Sequence, residues 1–156
     1  MSYTENGGAL KYFQPIITLA ETDAGVLQAM DIGAASADHG EMLCIKACEV
    51  SRVQFSLTGE LAGGTTTPPA VIFTKRPTPL SATGETVMKT LVIPDATPQG
   101  TTVFKDIDPI QFDVGDSMEI SHTVGVGTPT GIGVWSIEAQ DRPEYHGNNA
   151  ELIEGA

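Results

Sequence analysis

The chain has few cations, two cysteines and no long apolar run, and each of these shortages argues against a class of function or site. Lys and Arg number eight against twenty Asp and Glu, which gives a net charge of −12 at pH 7. Binding to a phosphate backbone requires clustered cations, so this balance argues against a nucleic-acid partner. It also argues against attachment to an anionic membrane. No segment approaches the roughly 20 apolar residues of a membrane-spanning helix.

The N-terminus also lacks the basic and apolar regions that make up a secretory signal. We therefore expect the chain to be made and folded in the cytoplasm without export.

Cys44 and Cys48 are the only cysteines. If both lie on one strand, a spacing of four residues separates them by roughly 13 Å. A disulfide requires Cα atoms within about 7 Å, so the two are not expected to pair. No CxxC motif or group of histidines supplies the other ligands of a zinc site. We predict buried free thiols in a protein assembled in a reducing compartment.

The residue types that are abundant favour an all-β fold. Val, Ile and Thr together number 41 against nine Leu, and 17 Gly and 10 Pro provide turn residues. Short runs of β-branched and aromatic residues alternate with these turns along residues 85–138. The pattern predicts a single β-sandwich or jelly-roll-like domain of roughly eight short antiparallel strands. This domain spans residues 26–143 and is followed by a loose tail at 144–156. The predicted strands include residues 70–74, 86–93, 101–105, 110–116, 117–124 and 131–138.

Residues 42–58 form the longest strand candidate. From Arg52 onward, Val53, Phe55 and Leu57 alternate with polar residues and are predicted to share the buried face. The phase of this alternation changes near residues 49–51, which predicts a β-bulge or a break.

Residues 1–25 have the pattern of an extended arm or an edge strand. Their apolar residues lie around Pro15, which restricts a strand to the edge of a sheet. Two alternatives remain open: the segment forms the first strand of its own sheet, or it packs on a neighbouring subunit. The candidate interface residues are Tyr3, Tyr12, Phe13, Pro15, Ile16 and Ile17.

No combination of polar residues predicts catalysis, a cofactor or a metal site. The Gly-rich segment at residues 125–133 lacks the lysine of a phosphate-binding loop and is predicted as a hairpin tip. Trp135 is predicted as a core residue, and His122 as a buried histidine on a strand face. Acidic residues between 106 and 119 lack the spacing of a calcium loop, and Asp108-Pro109 and Gly115-Asp116 are typical turn dipeptides. We therefore expect a protein that is not an enzyme.

Three motifs in the C-terminal half resemble those of small β-sandwich proteins that decorate the capsids of tailed bacteriophages. They are TTVFK followed by DIDP at residues 101–109, the turn FDVGD at 112–116, and GVWSIE at 133–138. The resemblance covers roughly residues 85–143. It implies a non-enzymatic capsid decoration, or cement, protein on the outside of the virion, assembled in the host cytoplasm. The implied partners are the major capsid protein and further copies of the chain in a dimer or trimer.

Two other classes of phage protein remain as alternatives. One is a carbohydrate- or receptor-binding module of a tail fibre or baseplate, in which the loop at residues 63–69 would carry specificity. The other is a structural protein of the tail or of head completion. The repetitive shaft that is typical of a fibre is not visible in this sequence.

Overall fold

A computed structural model describes residues 12–15, 30–31, 37–59, 61, 67–125 and 132–142. These residues form nine strands and confirm the prediction of an all-β sandwich. In chain order the strands are β1 (Phe13–Pro15), β2 (Met30–Asp31), β3 (Ala37–Cys44), β4 (Cys48–Leu57), β5 (Ala70–Arg76), β6 (Thr86–Val92), β7 (Thr102–Phe112), β8 (Ser117–Thr123) and β9 (Ile132–Asp141).

The strands form two antiparallel sheets. A five-stranded sheet has the order β1-β3-β8-β5-β6, and a four-stranded sheet has the order β2-β9-β4-β7. Among the nine strands that the structure describes, β5 and β6 are the only two that are both consecutive in the chain and neighbours in a sheet. Most connections therefore cross from one sheet to the other, which ties the two layers together over a shared core.

The core lies between the sheets and follows the alternation of the strands. Val53, Phe55 and Leu57 of β4 are buried, as their spacing predicts. Phe73 of β5 meets the ring of Trp135 edge-on at 6.3 Å, and this contact places Trp135 against the core. His122 is buried on the same face of β8 as Met118 and Ile120, also as predicted.

The predicted change of phase in β4 is a bulge. Val50 pairs with Ala139 and Arg52 pairs with Glu138, which leaves Ser51 as one extra residue against β9. Because of this extra residue, Val50 before the bulge and Val53 after it both face the core, although they are three residues apart.

The long candidate at residues 42–58 is two strands rather than one. The apolar–polar alternation continues through Ile45, Lys46 and Ala47, but these residues turn the chain from β3 into β4 and thus from one sheet to the other. Cys44 ends one strand and Cys48 begins the next. The assumption that both cysteines lie on a single strand was therefore wrong, whereas both thiols are free and buried, as predicted.

The dipeptide Asp108-Pro109 is not a turn, and residues 102–105 and 110–112 of the two strands predicted on either side of it belong to the single strand β7. β7 is the edge of its sheet, where a missing proline N–H removes no hydrogen bond to a neighbouring strand. The three residues 107–109 lie opposite Ser51 alone, and this irregularity accommodates the proline. The turn predicted at Gly115-Asp116 is present, with a φ of 98° at Gly115.

The segment at residues 125–133 is not a hairpin tip, because β8 and β9 lie in different sheets. It connects the two layers, and residues 126–131 are outside the described part of the chain. Residues 63–66 of the loop predicted at 63–69 are also outside it, as is the predicted tail at 144–156.

Candidate interface on the four-stranded sheet

The outer face of the four-stranded sheet is built from the residues of β4 that alternate with its core positions. Since Val53 and Phe55 point inward, Arg52, Gln54 and Ser56 point outward. Strand pairing places one residue of β7 and one of β9 beside each of them. The three rows are Asp106–Arg52–Glu138, Phe104–Gln54–Ser136 and Thr102–Ser56–Val134.

Three large apolar side chains are exposed on this face. Phe104 on β7 is 50% exposed, and Val134 and Ile132 on β9 are 43% and 40% exposed. Between them lie the shorter polar side chains of β4. Because two strand spacings span about 10 Å, Phe104 and the two β9 residues flank a shallow trough. We call Phe104, Gln54, Ser56, Val134 and Ile132 the binding face.

The floor of the trough is polar and ordered. Gln54 donates from Nε2 to the Ser136 hydroxyl at 2.6 Å, and the Ser56 and Thr102 hydroxyls are hydrogen-bonded at 2.8 Å. A hydroxyl group has one donor and two acceptor sites, so these groups keep capacity for a further hydrogen bond. The binding face therefore combines apolar walls with a floor that is able to form hydrogen bonds.

Arg52 lies at one end of the binding face, where two acidic side chains hold it in place. Arg52 donates from Nε to Asp106 at 2.6 Å and from Nη1 to Glu138 at 3.0 Å. Its guanidinium lies 4.7 Å from the centre of the Phe104 ring. The hydrogen bond that Arg52 donates to Asp106 is the main reason that the pKa of Arg52 is raised. The ion pairs and the ring contact fix Arg52 across all three strands and support the orientation of Phe104.

Most of the chain's few cations are bound to its own acidic residues. Lys46 contacts Asp141 at 2.9 Å and Lys75 contacts Asp116 at 3.0 Å, while Arg142 pairs with Asp113. The surface that the chain presents to an approaching molecule is therefore negatively charged overall. A basic surface is the electrostatic complement of this chain.

The other sheet carries a compact group of charges on its outer side. Arg76 lies between Glu41 at 3.1 Å and Glu85 at 3.0 Å, with Glu119 at 3.5 Å. Glu41 and Glu119 are directly opposite each other in β3 and β8, and both are buried. Glu41 also accepts hydrogen bonds from the Ser117 hydroxyl and from the backbone N–H of Leu80. These contacts hold residues 77–85 over the sheet, so the group has a structural role.

The predicted interface residues are not brought together with the binding face. Tyr12 and Phe13 are buried in the core of their own domain, and Phe13 meets the Phe112 ring edge-on at 5.1 Å. Pro15 pairs with Met42 at the edge of the five-stranded sheet. For residues 13–15, the edge-strand alternative is the one that describes the structure. Tyr3, Ile16 and Ile17 lie outside the described residues.

Sequence reasoning missed the binding face, although a signal was present. Ile132 and Val134 alternate with Gly133 and Trp135, and Val103 is followed by Phe104, so both strands carry apolar residues in both phases. A strand with one solvated face normally shows apolar residues in one phase only. The second apolar phase marks a face that is suited to a contact.

Four of the acidic residues between 106 and 119 take part in turns or ion pairs, namely Asp106, Asp113, Asp116 and Glu119. Asp116 accepts a hydrogen bond from the backbone N–H of Asp113 at 3.0 Å and caps the turn before β8. Within the described ranges, no three His, Cys, Asp or Glu side chains are grouped so that they could hold a metal ion.

Comparison with models of known protein families and with curated proteins found no match for this chain. In the part of the chain that the structure describes, no helix has the length and apolarity needed to cross a membrane.

Proposed function

We propose that the chain is a non-enzymatic structural protein of a bacteriophage virion that binds the outer surface of the capsid and stabilises the junctions between capsomers. The binding face supplies the contact with the major capsid protein. Further copies of the chain, as a dimer or trimer, are the second class of partner. The proposal combines the resemblance of residues 85–143 to capsid decoration proteins with the surface of the four-stranded sheet.

The exposure of Phe104 between ordered polar groups is the observation that carries the proposal. An aromatic ring that is half exposed and held by Arg52 offers apolar area without a further loss of side-chain freedom. Residues of this kind commonly dominate the free energy of protein association. The acidic excess favours a basic patch on the partner, which would accelerate and orient the encounter.

The experiment measures co-sedimentation of the purified protein with empty capsids of the phage that encodes it. Phe104→Ser should weaken capsid binding by at least about tenfold, since an anchor residue contributes more than 1.4 kcal/mol. Val87→Ser is the matched control, because Val87 is 57% exposed but lies on β6 in the other sheet. The control should bind as the unmodified protein does.

Circular dichroism of both variants checks that the sandwich is intact. Equal binding by Phe104→Ser and the unmodified protein would remove the binding face from the proposal. Failure of the unmodified protein to sediment with capsids would reject the decoration function itself.

A carbohydrate-binding module of a tail fibre or baseplate is the second candidate. The observation in its favour is the pairing of Phe104 with the hydroxyl and amide groups of Ser56 and Gln54, because a sugar ring stacks on an aromatic side chain and hydrogen-bonds to its neighbours. A glycan array separates the two functions. Glycan binding that is lost in Phe104→Ser, without capsid binding, would favour the fibre module.

A further inference from the structure

The two long edges of the sandwich lie on the same side of it. The five-stranded sheet ends in β1 and β6, and the four-stranded sheet ends in β2 and β7. β1 and β2 have three and two residues, whereas β6 and β7 have seven and eleven and contact each other across the sandwich. A long edge strand leaves a row of backbone N–H and C=O groups that are able to pair with another chain. We call the side formed by β6 and β7 the open side.

Each strand of the open side carries a lysine at a core-facing position. Lys105 of β7 pairs with Val53, and Lys89 of β6 pairs with Phe73. Val53 and Phe73 are fully buried core residues, and residues directly opposite each other in paired strands lie on the same face of a sheet. Lys105 is exposed and Lys89 is half-buried, so both side chains reach water from the margin of the core.

These two lysines also have no acidic partner among the described residues. Five other cations each form an ion pair, namely Lys46, Arg52, Lys75, Arg76 and Arg142. Within the part of the chain that the structure describes, Lys89 and Lys105 form none. The chain has twenty Asp and Glu, so the lack of a partner at these two positions is not caused by a shortage of carboxylates.

The backbone of both long edges is interrupted as well. Met88 is a bulged residue of β6 and directly precedes Lys89. Pro109 and the irregularity at residues 107–109 interrupt β7. The longest regular stretch that remains on β7 is residues 102–106, and Lys105 lies within it. Bulges, prolines and lysines are the features with which native sheets prevent pairing between their edges.

We propose that Lys89 and Lys105 close the open side to the addition of a further strand, above all to pairing between copies of the chain. A strand added to β7 would cover the Lys105 side chain and take its ammonium group out of water, which is costly unless the strand supplies a carboxylate. If that strand were β7 of a second copy, two Lys105 side chains would approach each other, and like charges on paired strands are destabilising.

The two lysines thus determine where copies of the chain are able to meet. Contacts between copies are directed away from the edges of β6 and β7, although these are the longest edges that the structure describes. This inference does not depend on the proposed binding to a capsid.

The test removes the charge from the more regular edge. Lys105→Val places a strand-forming side chain at an exposed position, so the sandwich should fold, and circular dichroism checks this. In sedimentation at high protein concentration, the variant should have about twice the mass of the unmodified protein, because two copies are then able to pair along β7. Hydrogen exchange should show that backbone amides of residues 102–106 gain protection in the concentrated sample and not in the dilute one. Addition of Lys89→Val should give still larger assemblies, because a second edge is then free.

Lys105→Arg and Lys46→Val are the matched controls. The first keeps the positive charge on β7, and the second makes the same change of charge and size in the connection between β3 and β4, outside both edge strands. Both controls should have the mass of the unmodified protein at every concentration. An unchanged mass for Lys105→Val, equal association of either control, or association without added protection in β7 would overturn the proposal. A double variant that forms no larger assemblies than Lys105→Val would remove Lys89 from it.

Discussion

Glu41 accepts the backbone N–H of Leu80 at 2.9 Å, and this bond fixes the connection between β5 and β6 over the outer side of the five-stranded sheet. The same carboxylate binds Arg76 and accepts a hydrogen bond from Ser117. Leu80 has a φ of 60°, a left-handed conformation that a branched side chain rarely adopts. A buried carboxylate thus stabilises a loop backbone that is unfavourable on its own.

Replacement of Glu41 by Ala should lower the free energy of unfolding by about 2 kcal/mol. The change leaves the buried hydroxyl of Ser117 and the partly buried backbone N–H of Leu80 without their acceptor, although Arg76 keeps Glu85 and Glu119 as partners. Urea unfolding measures the loss. Glu49→Ala is the control, because Glu49 makes one hydrogen bond, to Gln140, at the surface. Its cost should stay below about 0.5 kcal/mol. Equal costs for the two variants would contradict a structural role for the buried carboxylate.

Phe13 tests whether β1 belongs to its own domain. Its side chain is 1% exposed and packs against the Phe112 ring, so Phe13→Ala should lower the free energy of unfolding by about 3 kcal/mol. The neighbouring Gln14 is exposed, and Gln14→Ala should cost less than about 0.5 kcal/mol. Thermal unfolding at several protein concentrations checks both values. A loss that appears only at high concentration would instead place Phe13 in a contact between copies.

Alternation along single strands was enough to predict much of the fold. Val53, Phe55 and Leu57 are in the core as predicted, and the change of phase near Ser51 is a bulge. The break after Cys44 was not predictable in this way. Residues 45–47 continue the apolar–polar alternation, and the turn is imposed by the junction of two sheets rather than by Gly or Pro.

Strand order and the binding face depend on pairing between distant parts of the chain. Phe104 and Val134 lie on the same face of the sheet because β7 and β9 both pair with β4. Without that pairing, the outward position of Phe104 does not indicate a shared apolar surface. Periodicity gives the face of a residue within its strand but does not give its neighbours. For the same reason, the sequence of Asp108-Pro109 predicts a turn, although the dipeptide lies within β7, where the edge position of the strand accommodates a proline.

Gly133 is required by the close approach of β9 to β4. A Cβ atom at this position would lie 2.5 Å from the Ser56 carbonyl oxygen and 2.6 Å from the Phe55 ring. Gly133→Ala should therefore lower the free energy of unfolding by about 2–3 kcal/mol. Gly100→Ala is the matched control, because Gly100 has open space around it and only an unfavourable φ of 84°. It should cost about 1 kcal/mol. A smaller loss at Gly133 than at Gly100 would show that the strands separate without penalty.

Ala96 offers a change that should stabilise the protein. It is exposed in the turn after β6 and has a φ of 55°, where its Cβ is unfavourable. Ala96→Gly removes that penalty but gives the unfolded chain more conformational freedom, so the net gain should be about 0.5 kcal/mol. Ala82→Gly is the control, because Ala82 is also exposed in a connection but does not have a positive φ. That variant should lose about 0.5 kcal/mol, since it gains only the freedom of the unfolded state. Urea unfolding of the two variants should therefore give shifts of opposite sign, and a loss at both positions would contradict the left-handed conformation of Ala96.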